Sequence, residues 1–198
     1  MQSNVCKIEK GTKDLEAILN ESEKVAVYNG LDHKQTMQLR LLCEEIDGML
    51  PELVEDFEGT LWIEFEDGVC KVMVSIVIDE ISTDKKEQLI AIAKNQKNAA
   101  ATGIVGKIRS AIENFFLDED SLQAYALSSG SFQMAANYCP SGDYPCVWSL
   151  NQYKNTVDAD QAEAWDELEK SVIASVADDI LVGVKGNRAD IVIVKKFA

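Results

Sequence analysis

The chain has 198 residues, 46% hydrophobic and 27% charged, a balance that suits one globular domain with a sizeable core. With 34 acidic against 19 basic residues the formal net charge is −15, which repels phosphate backbones and argues against nucleic-acid binding. A single histidine, His33, excludes zinc sites built on two or three imidazoles, and no stretch approaches the roughly 20 apolar residues of a membrane-spanning helix.

The opening Met1-Gln2-Ser3-Asn4-Val5-Cys6-Lys7 has no secretory apolar run. The cysteines, Cys6, Cys43, Cys70, Cys139 and Cys146, form an odd, scattered set that reads as reduced thiols. A cytoplasmic location is therefore expected, with no membrane partner and an acidic surface that favours basic protein partners. Residues 12–28 carry Leu15, Ile18, Leu19 and Val25 at helical spacing, with Thr12 or Asp14 to cap the start and Asn29-Gly30 to stop it. A second helix is expected over 33–54, capped by Asp32, with Leu39, Leu42, Ile46, Met49 and Leu53 on one stripe. Gly48 and Pro51 are expected to weaken or bend its later half.

Thr60 to Glu66 alternates as a strand, Asp67-Gly68 signals a two-residue hairpin turn, and Val69 to Ile78 reads as a central, largely buried partner. A polar helix (84–95) and a small-residue loop ending in Thr102-Gly103 follow. Next comes a helix over about 104–116, with Ile104, Ile108, Ile112 and Phe115 or Phe116 inward. Val147 to Tyr153 reads as a strand, and 158–178 as a helix with Trp165, Leu168, Val172 and Val176 on one stripe. The chain closes in a hairpin, Ile180–Lys185, turn Gly186-Asn187-Arg188, then Ile191 to Val194. The sum is an α+β fold with a mostly antiparallel sheet and helices on one face.

A helix, an Asn-Gly turn and a long helix bearing Leu39-x-Leu41-Leu42-x-Glu44-Glu45 resemble the start of the bacterial anti-sigma-factor serine kinases. These belong to the ATPase superfamily that includes gyrase, MutL and the histidine kinases. In that family the long helix carries a Glu that activates the attacking group. An Asn four residues later, on the same helix face, holds the magnesium bridging the ATP phosphates. One register places Glu45 at the Glu and Met49 at the Asn; the other pairs Glu44 with Gly48. Neither supplies the hard oxygen donor that magnesium wants. The segment Val74–Ile81 resembles the strand ending in the family's Asp-x-Gly box, so the resemblance implies Asp79 on the adenine amino group, with Ile81 where the Gly belongs. Thr102-Gly103-Ile104-Val105-Gly106-Lys107 resembles the later glycine box, implying Gly103 and Gly106 against phosphates and Lys107 adding charge.

The match runs in order over 12–116 and 180–196, which makes 118–178 an insertion in a single domain spanning 1–198. It implies ATP as the cofactor, with magnesium left short of a ligand, and a regulatory protein that binds a partner such as a sigma-like factor. Two other readings stay open: an active ATP-dependent serine kinase or ATPase with an unusual metal site and Glu45 as base, or a homo-oligomeric binding domain, such as a homodimer, with no nucleotide. The plainest alternatives for the residues themselves are solvated helix glutamates at 44 and 45, a strand-end Asp79, turn glycines at 103 and 106, and a surface Lys107. No metal-ligating set is expected: Cys139 and Cys146 have no second pair and no histidine beside them.

Overall fold

The computed structural model describes residues 1–10, 15–54, 56–78, 103–115, 146–156 and 171–197. In chain order these form β1 (Cys6–Glu9), α1 (Leu15–Tyr28), α2 (His33–Leu53), β2 (Phe57–Glu66) and β3 (Val69–Ile78). Then come α3 (Gly103–Phe115), β4 (Cys146–Ser149), α4 (Leu150–Thr156), α5 (Val172–Val176), β5 (Asp179–Lys185) and β6 (Arg188–Lys196). The strands make one six-stranded sheet in the order β1-β2-β3-β6-β5-β4, and every neighbouring pair is antiparallel. The fold class is therefore α+β with an antiparallel sheet.

Two hairpins set the register. Asp67 and Gly68 both take positive φ (48° and 77°), the conformation a two-residue turn needs to follow the right-handed strand twist. They align Glu66 with Val69 and, at the tenth and last pair of the ladder, Phe57 with Ile78. At the second hairpin Gly186 alone takes positive φ (61°), and Lys185 pairs directly with Arg188. Strict alternation then sends Leu61, Ile63, Val72, Val74, Ile76, Ile180, Val182, Ile191 and Ile193 to one sheet face, all of them buried. The opposite face holds a smaller apolar row, Trp62, Met73, Val192 and Leu181, paired strand to strand across β2, β3, β6 and β5.

α2 is the spine of the main core. Asp32 accepts a hydrogen bond from the Gln35 N–H, and the Gln35 side chain accepts one from the Asp32 N–H, a reciprocal capping box. Leu39, Leu42, Ile46 and Leu50 are wholly buried, each contributing about 1.5–3 kcal/mol through apolar burial. The helix runs on through Gly48 and Pro51 to Leu53, so neither residue ends it early. At Gly59 in β2 the lack of a side chain is obligatory: a Cβ there would lie 2.2 Å from the Ser75 carbonyl oxygen.

Several sequence expectations shift. Val147–Tyr153 is strand only as far as Ser149; from Leu150 the chain is helical. The last helix ends at Val176 rather than 178, and Val172 on its expected inward stripe is 40% exposed, while Ile173 and Ala174 are buried instead. Thr12, Asp14, the polar helix at 84–95, Phe116, Trp165 and Leu168 lie outside the described residues. The span expected as an insertion, 118–178, supplies β4, hydrogen-bonded to β5 at the sheet edge, so this part of it belongs to the same sheet.

Candidate functional site

The candidate site rests on α2 and α3, which pack against each other. Glu45 sits half-buried on the shoulder of the α2 stripe, one turn before Met49. Met49 is 4% exposed and part of the main core. Its thioether therefore fills apolar space at the position where the resemblance places a magnesium ligand. In the other register Glu44 is exposed and ion-paired with Arg40 at 3.8 Å, and Arg40 also pairs with Glu23 of α1. Its i+4 neighbour, Gly48, faces open space.

Asp47 is the next carboxylate along α2, and burial pushes its acid group above the ordinary carboxylate value. It stands two residues from Glu45, about 200° around the helix, so the two carboxylates cannot meet on one ion. Magnesium thus does not fit either register: one offers a buried thioether, the other a bare hydrogen, and magnesium requires oxygen donors in near-octahedral geometry. Among the described residues no group of three or more His, Cys, Asp or Glu side chains is placed to hold a metal.

α3 begins at Gly103, whose φ of 72° is a conformation that favours glycine, and a Cβ there would meet nothing within 4 Å. Gly106 is buried one turn on. Lys107 does not project from this turn into solvent: its ammonium lies 5.6 Å from the centre of the Tyr153 ring, a cation–π contact between α3 and α4. Tyr153 in turn packs against Trp148 of β4, with ring centres 6.1 Å apart. Among the described residues the Lys107 ammonium has no carboxylate within ion-pair distance. Asp79 lies outside the described residues, as does Ile81, so the adenine end of the expected site has no geometry here. The structure brings together the helices that carry Glu45 and Gly103, Gly106 and Lys107, and it commits Lys107 to an aromatic face.

Tyr153 and Trp148 are the neighbours that sequence reasoning missed. Val147–Tyr153 reads as one strand, on which Trp148 and Tyr153 would point to opposite faces. The helical turn at Leu150 is what lets them stack. That turn is fixed by Asp179 of β5, whose carboxylate accepts from the Ser149 hydroxyl at 3.1 Å and the Asn151 N–H at 3.1 Å.

Comparison with protein-family models, with curated proteins and with solved structures finds no match to this chain. Among the described residues no helix is long and apolar enough to cross a membrane.

Proposed function

We propose that this chain is a regulatory protein on an anti-sigma-kinase-like scaffold, with a degenerate nucleotide site, that acts by binding another protein, a sigma-like factor. The observation that carries the reading is Met49. A helix of the expected length and position packs over an antiparallel sheet, yet the residue at the metal-ligand position is sunk in the core. A scaffold that spends that position on packing has given up the metal bridge that phosphoryl transfer needs. The element order supports the scaffold: a helical hairpin, two long antiparallel strands, a glycine-started helix, and a closing hairpin beside β3. The net charge of −15 supports a partner with a basic docking surface.

Calorimetric titration with ATP, with and without magnesium, tests the nucleotide half. The expected result is weak or no heat, unchanged by magnesium. Binding tighter than about 100 μM, or about −5.5 kcal/mol, that magnesium strengthens and Glu45→Ala abolishes would overturn it. Titration with purified sigma-like factors tests the partner half, and heat that weakens steeply with salt is expected.

A further inference from the structure

The connection between α1 and α2 holds the sequence's single Asn-Gly step, Asn29-Gly30. This dipeptide has a chemistry of its own. The backbone nitrogen of the second residue can attack the side-chain carbonyl carbon of the first and close a five-membered ring. A side chain on the second residue obstructs that attack, and glycine has none. The step lies at the surface, with Gly30 exposed and Asn29 half-buried, so solvent reaches it.

The fold engages both reacting groups in other bonds. The backbone N–H of Asn29 and its side-chain Nδ2 both donate to the Val25 carbonyl oxygen, at 3.1 and 2.7 Å. Nδ2 also reaches the Met1 sulfur at 3.5 Å. Gly30 takes a φ of 68° and donates its N–H to the Val27 oxygen at 3.2 Å, while Leu31 donates to the Ala26 oxygen at 3.0 Å. These are the two paired bonds of a Schellman motif, with Asn29 as the C-cap of α1. Leu31 packs against the main core, to which the wholly buried Ala26 belongs, and this anchors the motif. Attack on Asn29 Cγ needs the Gly30 nitrogen released from Val27 and the amide turned off Val25. The turn must therefore open before the ring can close.

We infer that Asn29 is a deamidation site whose rate is set by opening of this turn, and that its product unlocks the end of α1. In the open turn the Gly30 nitrogen gives up its proton to solvent base and bonds to Asn29 Cγ. The Cγ–Nδ2 bond breaks and ammonia leaves, which forms a succinimide. Water then opens the ring at either carbonyl and yields aspartate or isoaspartate. One water is consumed and one ammonia released, with no change of oxidation state. Aspartate puts a carboxylate where an N–H donated, against the Val25 oxygen at the negative end of the α1 dipole. Isoaspartate lengthens the main chain by one carbon and spoils the spacing of the Schellman bonds. Neither product caps α1 as the amide does. The inference goes beyond the regulatory reading and does not depend on it.

Mass spectrometry of the peptide carrying Asn29 tests it, on the full chain held in mildly alkaline buffer with and without denaturing urea. The native rate is expected to be at least about tenfold below the rate in urea, because local opening costs free energy. Leu31→Ala weakens the anchor without touching a reacting atom. It should raise the native rate several-fold and leave the rate in urea unchanged. The deamidated chain and Asn29→Asp should both melt below the parent. Equal rates in native buffer and in urea overturn the inference, and so does a native rate that Leu31→Ala leaves unchanged. Asn29 left intact in both chains in native buffer, or a deamidated chain that melts like the parent, overturns it too. Should Leu31→Ala fail to fold, the ratio of native to urea rates in the parent chain decides.

Discussion

Met49 decides most at the scale of single residues. It stands where the resemblance to the ATPases expects an Asn and is, in the fold, an integral part of the core. Met49→Asn would install the Asn that the resemblance expects and yet bury an amide among apolar neighbours. Chemical denaturation is expected to show a loss of about 2–3 kcal/mol, with no gain in magnesium-ATP affinity by calorimetry. The buried thiols carry a pH signature. Burial pushes the Cys70 thiol up to about 12 from an ordinary value of 9.0, and Cys43 is pushed up too, by burial first and then by Cys70 and Cys6 nearby. A folded-state value above the unfolded one means that stability is full below the unfolded value and is lost as pH rises. Stability should therefore be flat below about pH 9 with respect to these thiols. Between there and about pH 12 it should fall steadily as the thiols ionise in the unfolded chain but not in the folded one, read as denaturation midpoints across that range. Glu21 works in the opposite direction. Its hydrogen bonds from Lys24 and Asn4 outweigh the burial that opposes them and hold its carboxyl below the usual carboxylate value.

At the scale of elements, caps and turns do what hydrophobic spacing cannot. Asp32 and Gln35 close the N-terminus of α2 reciprocally, and Asp32→Ala should lower the thermal midpoint by an amount equivalent to about 1 kcal/mol. The start of α4 is set from a distance. Its Ser149 hydroxyl and Asn151 N–H both reach Asp179, on a strand 30 and 28 residues away. Asp179→Ala should cost about 1–2 kcal/mol in denaturation and loosen the Trp148–Tyr153 pair, seen as a shift in tryptophan emission. The same turn positions the ring under Lys107, so the lysine that reads as a phosphate contact depends on an aspartate outside its own segment.

Across the whole molecule, the sheet decides what each element can bury. β3 and β6 are its central strands, and their inward residues Val72, Val74, Ile76, Ile191 and Ile193 are essentially solvent-free. The close approach of β2 and β3 at Gly59 is the pinch point of that packing. Gly59→Ala drives a methyl group toward the Ser75 carbonyl and should destabilise the fold by about 3 kcal/mol, measured by urea unfolding with an unchanged slope. The second face, with Trp62, Met73, Val192 and Leu181 in one row, gives the sheet an apolar stripe on both sides. The expectation of helices on one face describes the main core; it leaves this second cluster unaccounted for.

The sequence by itself determined the periodic elements. α1, α2, the β2–β3 hairpin, α3 and the closing hairpin all follow from local signals: apolar spacing, an Asp cap, an Asp-Gly turn and a Gly-Asn turn. Those signals act within a few residues, so they survive being read without the fold. Tertiary structure alone decided three other things. It ended β4 at Ser149, because the hydrogen bonds that turn the chain come from β5. It placed Lys107 over Tyr153, because only that turn brings the ring to α3. It left Val27 and Tyr28 in solvent, because the core beneath α1 is filled by Ile18, Val25 and Ala26 before the apolar run ends. A spacing shows which residues share a face. Which face finds a partner is settled only when the elements pack.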